Sequence, residues 1–228
     1  VVIEQLAAFE IAPADILIEP TAKNTAAAIC AAALALEARA PGALMLVAPS
    51  DHVIPDAELF RASVRSAIPS ALNGQIVTFG IRPNRAETGY GWLELSQEPE
   101  VGFSLKPQKL IAFIEKPDLK TAENLLASDL HLWNAGIFLF TTTTILDAFR
   151  THAAETLTAT QAAFDSAQKD LGFTRMDPDA WEKLPNISID YSVLERVDNL
   201  VVVPYGGAWS DLGDWEAVWR EGDADEAG

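Results

Sequence analysis

Apolar positions recur along the first eighty residues with two different periods, one helical and one extended. Val2, Leu6 and Phe9 are spaced for one face of a short amphipathic helix. Asp15–Glu19 is a short apolar strand. Asn24–Arg39 follows as a helix, with Asn24 or Thr25 available as N-cap. Ala43–Ala48 is apolar at every position and reads as a buried strand, Ala57–Ala67 as a helix and Gln75–Gly80 as a strand. Strands apolar throughout, separated by helices of about ten or more residues, predict a parallel sheet covered on both faces.

Beyond residue 80 the rhythm loosens. Tyr90–Ser96 and Lys109–Glu115 read as strands flanking a loop with Pro99, Gly102 and Pro107. Asp118–Ala127 is a short helix, and Trp133–Thr141 a strand interrupted by Asn-Ala-Gly. Thr144–Arg150 and Ala153–Asp170 read as helices, Asn199–Pro204 as a late strand and Asp214–Arg220 as a closing helix. The expectation is one α/β domain over residues 1–220, its second half less regular, followed by an acidic tail at 221–228.

Charge narrows the partners. Acidic side chains number 33 against 16 basic, a formal charge of −17. Nucleic-acid polymers draw most of their protein affinity from Lys and Arg, so they are excluded, as is an anionic membrane surface. A 49% hydrophobic content excludes a disordered acidic chain. No apolar run approaches the ~18 to 20 residues of a membrane-spanning helix, and the first residues carry no leader pattern. The single cysteine, Cys30, sits among alanines, reads as a buried small side chain and suits a reducing, cytoplasmic setting.

Several kinds of site are missing from the string. No G-x-x-x-x-G-K-[ST] loop occurs, Gly89-Tyr90-Gly91 does not complete G-x-G-x-x-G, and the three histidines form no zinc motif. What remains are polar residues at the ends of apolar strands, where open α/β sheets place ligands. Asp51, in Ala48-Pro49-Ser50-Asp51-His52, is a carboxylate suited to a hard cation such as Mg²⁺, with a turn cap as the plain alternative. Asp211, in Trp209-Ser210-Asp211-Leu212-Gly213-Asp214, has the same two readings, and the sequence does not establish that the two meet. Lys116 beside Glu115 suits a phosphate, or forms a surface ion pair. Asn134 and Gly136 combine an amide with a close backbone approach, as sugar hydroxyls require. Glu87-Thr88-Gly89-Tyr90-Gly91-Trp92 is a glycine-punctuated turn or simply a hairpin. Glu19-Pro20-Thr21-Ala22-Lys23-Asn24-Thr25 runs into a helix N-terminus, whose free N–H groups suit an anion or base. The Glu19 carboxylate could accept from the paired N–H donors of guanine, and each of these last four segments, taken singly, reads more readily as structural.

In order, the strings EPTAKNTAAAI, APSDHVI, GIRPNRAETGYGWLE, FIEKPD, LWNAGIFLF, ISIDYSVLE and WSDLGDW resemble the sugar nucleotidyltransferases. Within them, the similarity is to the mannose-1-phosphate guanylyltransferase branch, in the bacterial form often joined to a phosphomannose isomerase. The resemblance implies a Rossmann-like nucleotide-diphospho-sugar transferase fold, a mostly parallel mixed sheet flanked by helices. It implies formation of GDP-mannose and diphosphate from GTP and α-D-mannose 1-phosphate, with Mg²⁺. By the same resemblance Asp51 and Asp211 hold the metal and Lys116 the sugar phosphate. Glu115, Gly91, Asn134 and Gly136 meet the hexose, with Asp190 and Tyr191 also on the sugar side. Glu19, Asn24 and Thr25 lie next to the guanine.

One departure bears on activity. The glycine-rich G-G-x-G-x-R-L-x-P loop and the first strand of that family do not occur among these residues, nor do the regions that usually follow the domain. The expectation is therefore a chain truncated at both ends, with little or no turnover by itself. A sheet edge left open by the absent strand would invite a homo-oligomer. The alternatives are a thymidylyl-, uridylyl- or cytidylyltransferase, or a piece that binds a sugar nucleotide without catalysis.

Overall fold

The computed structural model describes residues 2–99, 105–213, 215 and 219. In chain order the elements are α1 (Val2–Ala8), β1 (Ile16–Ile18), α2 (Asn24–Arg39), β2 (Leu44–Val47), α3 (Ala57–Leu72), β3 (Ile76–Ile81), β4 (Gly91–Leu95) and β5 (Gln108–Glu115). There follow α4 (Leu119–Leu126), β6 (His131–Thr141), α5 (Thr142–His152), α6 (Ala154–Asp165), β7 (Gln168–Asp170), β8 (Phe173–Arg175), α7 (Pro178–Trp181), a π-helical turn (Asp190–Leu194) and β9 (Leu200–Tyr205). Two compact units emerge, one of Val1–Pro41 with Ile145–Val193, the other of Gly42–Thr144 with Leu194–Gly228. The helix expected over Asp214–Arg220 lies outside the described residues except for Trp215 and Trp219, and so does the tail at 221–228.

In the first unit α2 is apolar nearly all round and is buried accordingly, with Ala26, Ala27, Cys30 and Ala33 fully covered. Its alanines let α6 approach closely, and Ala27, Ala31 and Ala163 share a cluster with Met176, Trp181 and Leu184. Cys30 behaves as a core atom: burial pushes its thiol up to about 12. Two expectations change here. The strand expected at Asp15–Glu19 is only β1, and it joins a small separate sheet of order β1-β8-β7, parallel to β8. The helix expected over Ala153–Asp170 stops at Asp165, and β7 and β8 form a hairpin instead. Its two-residue loop, Leu171-Gly172, holds φ of 48° and 85°, the positive pair that primed hairpin turns require. Leu at the first of these positions hides the turn from a reading that looks for Asn or Gly.

The second unit is built on a six-stranded sheet of order β2-β6-β3-β9-β5-β4, with β6 also reaching β4. The sheet is mixed, as expected, but parallel neighbours are rarer than apolar strands suggested. Among the described residues β3 and β9 pair in parallel, while β6 and β5 run against the other strands. Continuous apolar runs report burial on both faces, not strand direction. β3 is buried at every position. Val77, Phe79 and Ile81 face α3 with Ala67, Trp92, Trp133, Ile137 and Val203, whereas Leu93, Leu95, Leu132 and Val202 fill the opposite face. β2 departs from its apolar pattern: it is an edge strand, half-covered, with Leu46 exposed. Helix α3 runs through Pro69 to Leu72, beyond its expected end at Ala67. A proline one turn from a helix end removes one hydrogen bond, and the buried Ala71 offsets that loss.

Candidate active site

The central feature of the second unit is an isolated antiparallel bridge. Val53 N–H donates to Ser210 O at 2.8 Å, and Ser210 N–H to Val53 O at 3.1 Å. The bridge sets the segment after β2 beside the segment after β9, so Asp51-His52 and Asp211 become neighbours. The His52 ring senses both carboxylates: burial lowers its pKa, and the charges of Asp51 and Asp211 oppose that shift. Its Nδ1 accepts from Trp209 Nε1 at 3.3 Å, and the two rings meet edge-on at 5.3 Å.

The two carboxylates differ in their surroundings. Asp51 is exposed, whereas Asp211 is half-buried. Asp211 Oδ1 accepts from the Tyr90 hydroxyl at 2.5 Å and from Gly213 N–H at 3.2 Å. Burial, then Asp211, raises the Tyr90 pKa, so this hydroxyl stays a donor. Among the described residues no group of three or more Asp, Glu, His or Cys could hold a metal. Two oxygen-bearing side chains fit Mg²⁺ nonetheless, because it takes one or two carboxylates and completes its shell with phosphate and water.

Beside this pair lies the end of β5. Lys116 sits at φ 46°, in the left-handed region, a strain of the kind found at ligand clamps. Consecutive strand residues point to opposite faces, but this turn brings Lys116 Nζ within 3.6 Å of Glu115 Oε1. Glu115 is largely covered and Lys116 is open. Gly91 pairs directly with Glu115, and a Cβ there would stand 2.7 Å from Glu115 Oε2 and 3.0 Å from Phe113 Cζ. Gly91→Ala is therefore expected to push the Glu115 carboxylate aside, at a stability loss of about 1–3 kcal/mol. Urea unfolding reads the loss, and unchanged stability would mean that the crowding at Gly91 is relieved at no cost.

Asn134-Ala135-Gly136 is a bulge in β6. The register with β3 shifts between Thr78 and Gly80, and Gly136 takes φ 66°. Asn134 Oδ1 accepts from Thr78 Oγ1 at 2.7 Å and from Gly136 N–H at 3.2 Å. The amide oxygen thus shapes the strand. A Cβ on Gly136 would lie 3.8 Å from His52 Cε1, which places the bulge next to the Asp51 segment.

In the first unit the expected guanine loop and the Asp190-Tyr191 segment come together. Thr25 Oγ1 accepts from Ile189 N–H at 2.9 Å, and Ala26 N–H donates to Ile187 O at 3.3 Å. Neither Asn24 nor Thr25 caps α2 as expected: the cap position is Lys23, without a side-chain cap bond. Asn24 instead adopts φ 64° and its Oδ1 accepts from Thr25 N–H at 2.9 Å. Asparagine tolerates that backbone, and its side chain is spent on the adjacent amide. Lys23 bonds to Glu182 O at 3.0 Å, and Trp181 Nε1 donates to Thr21 O at 2.8 Å, pinning the loop from below. Tyr191 is exposed.

Sequence reasoning did not single out Tyr90, Arg85, His52 or Trp209. Tyr90 meets the rings of Trp133 and Trp209 edge-on at 5.3 and 5.4 Å, and the Arg85 guanidinium lies 4.8 Å from the Trp133 ring centre. The available signal was the aromatic content of two motif strings, ETGYGW and WSDLGDW, which points to a shared cluster only once the strands are placed.

Known proteins resemble this chain over nearly its whole length. The nucleotidyl transferase family model matches residues 2–228. A mannose-1-phosphate guanylyltransferase of Escherichia coli (strain K12) is 40% identical over 222 residues, which is 96% of this chain and 46% of the relative. The xanthan biosynthesis protein XanB of Xanthomonas campestris is 40% identical over 225 residues, 99% of this chain and 47% of the relative. Among solved structures, one described as mannose-6-phosphate isomerase from Helicobacter pylori superposes with a TM-score of 0.80 at 29% identity, covering 91% of this chain and 79% of that one. The chain thus spans about half the length of the curated relatives it matches. With the family model matching from residue 2 to residue 228, the chain belongs to the nucleotidyl transferase family.

Proposed function

We propose that this chain carries the site for transfer of GMP from GTP to α-D-mannose 1-phosphate, giving GDP-mannose and diphosphate. The observation that supports the reading is the Val53–Ser210 bridge, which sets the segment carrying Asp51 beside the segment carrying Asp211. Relatives named mannose-1-phosphate guanylyltransferase support the choice of nucleotide and sugar. Asp51 and Asp211 would hold a divalent cation, Mg²⁺ on the family resemblance, and when bound it neutralises charge on the phosphates. No described helix is long and apolar enough to cross a membrane; a cytoplasmic setting is part of this proposal.

In this reading Lys116 holds the sugar phosphate as a point charge. A phosphate oxygen of mannose 1-phosphate forms the new bond to the α-phosphorus of GTP, and the bond from that phosphorus to diphosphate breaks. No covalent intermediate on the protein is needed, because positioning and charge stabilisation suffice for phosphoryl chemistry of this kind. Glu115, with Gly91 leaving it room, accepts from the mannose hydroxyls, and the Asn134-Gly136 bulge borders them. Asp190 and Tyr191 also serve the sugar side. Glu19, Asn24 and Thr25 recognise the guanine.

The test is calorimetric titration of GDP-mannose into the chain with Mg²⁺ and with EDTA, alongside UDP-, dTDP- and ADP-sugars. Binding that is tightest for GDP-mannose and lost in EDTA is expected. No binding, or binding indifferent to metal, would overturn the reading.

Glu19 supplies a pH prediction. Burial raises its carboxyl above the ordinary 4.5. A raised folded-state pKa contributes stability that is present below the unfolded value and lost as pH rises through the folded value. Ionised Glu19 therefore weakens the fold at neutral pH. Glu19→Gln is expected to raise Tm at pH 7, with the gain vanishing as pH falls below 4.5, while guanine binding weakens. Thermal scans at both pH values check the sign, and an unchanged Tm at pH 7 would refute it.

A further inference from the structure

The aromatic cluster beneath Asp211 has a polar tip. Tyr90 is half-buried, with its ring held edge-on by Trp133 and Trp209. Its hydroxyl reaches a carboxylate oxygen, Asp211 Oδ1, at 2.5 Å. Gly213 N–H lies on the same oxygen at 3.2 Å. Two donors on Oδ1 fix the rotation of the carboxylate, and a ligand would be met by Oδ2. Arg85 NH2 lies 3.4 Å from the Tyr90 hydroxyl and is itself held by Glu87 Oε2 at 2.9 Å. Glu87 Oε1 in turn accepts from Gly89 N–H at 2.9 Å, closing the turn that presents Tyr90. The backbone of Tyr90 works in the other direction: its carbonyl accepts from Lys116 N–H at 3.2 Å. One residue thus ties the strained Lys116 turn to the Asp211 carboxylate.

We propose that Tyr90 is a positioning residue that orients Asp211 for a divalent cation and couples that carboxylate to the Lys116 turn. This rests on the reading of Asp211 as a metal ligand. A carboxylate free to rotate loses that freedom when a cation binds, whereas one already held by two donors has lost it on folding. Partners of this kind, bonded to a ligand and not to the metal, change metal affinity by about ten- to a hundredfold.

The experiment titrates Mn²⁺ into the 228-residue chain without nucleotide, reading free Mn²⁺ by electron paramagnetic resonance. Wild type, Tyr90→Phe and Asp211→Asn are compared, each with its melting temperature. Phe keeps the ring in its contacts and removes the donor. The expected result is binding by wild type, loss in Asp211→Asn, and about tenfold weaker binding in Tyr90→Phe at unchanged Tm. Tyr90→Phe within twofold of wild type, while Asp211→Asn fails to bind, would overturn the positioning role and leave the metal site standing. Equal binding by wild type and Asp211→Asn, or none by wild type, would remove Asp211 as a ligand and the inference with it. A second measurement stands apart from the folding of Tyr90→Phe. The chain has three tyrosines, so Tyr90 Cζ is assigned in labelled wild type by Tyr191→Phe and Tyr205→Phe. Its carbon resonance is expected to move on Mg²⁺ addition, and a stationary resonance in a chain that binds Mg²⁺ would overturn the role.

Discussion

Asp211→Asn is expected to weaken Mg²⁺-dependent GDP-mannose binding by about a hundredfold or more, without unfolding the chain. The substitution is close to isosteric. The Asn oxygen still accepts from the Tyr90 hydroxyl and from Gly213 N–H, the two bonds that hold this side chain. The change falls on charge. Mg²⁺ binds few protein groups and depends on anionic oxygen, so a neutral amide gives up most of the attraction. Stability is expected to shift by less than about 1 kcal/mol, because Asp211 is partly solvated and its hydrogen bonds survive. Calorimetry with and without EDTA reads the first effect and urea unfolding the second. Affinity within threefold of wild type would mean that Asp211 is a turn residue and no ligand.

The largest stability effect is expected at Trp181. Its side chain is fully buried among Ala27, Ala31, Ala163, Met176 and Leu184, and its Nε1 donates to Thr21 O at 2.8 Å. Trp181→Ala opens a cavity and is expected to cost about 3–5 kcal/mol. Trp181→Phe retains most of the apolar contact and loses the hydrogen bond, and is expected to cost about 1–3 kcal/mol. The two variants separate packing from loop anchoring. In the Phe variant the Thr21–Lys23 backbone loses its support, so on the proposed function discrimination for guanosine nucleotides is expected to fall while Mn²⁺ affinity is unchanged, since Asp51 and Asp211 belong to the other unit. A Phe variant with wild-type nucleotide preference would disconnect this loop from base recognition.

Much of the element order was legible. Helix α2 was read to the residue, because its apolar run is long and Arg39 is followed by Pro41 and Gly42. Strands β3, β5 and β9 were placed within a residue or two: near-continuous burial imposes an apolar code on β3 and β9, and the half-covered β5 keeps apolar residues through its second half. What failed shares one cause: the decisive interaction was not local. The pairing direction of β2 depends on β6, far along the chain. The hairpin β7–β8 forms where a helix was expected, because β1 supplies a partner for β8. α2 lacks an Asn24 or Thr25 cap, because the Thr25 hydroxyl is taken by Ile189 N–H.

The candidate site divides along the same line. The sequence by itself determined which side chains are available: two aspartates after apolar strands, a Glu-Lys pair, a glycine-punctuated turn into a strand and an amide beside a glycine. Residue type sets charge and donor capacity, and these do not depend on the fold. Only tertiary structure decided which of them meet. The Val53–Ser210 bridge sets the Asp51 segment beside the Asp211 segment, a positive φ turns Lys116 toward Glu115, and Tyr90 reaches across to Asp211. Each of these joins residues through space or through a backbone conformation that side-chain chemistry does not announce, so the chain must fold before the chemistry acquires a geometry.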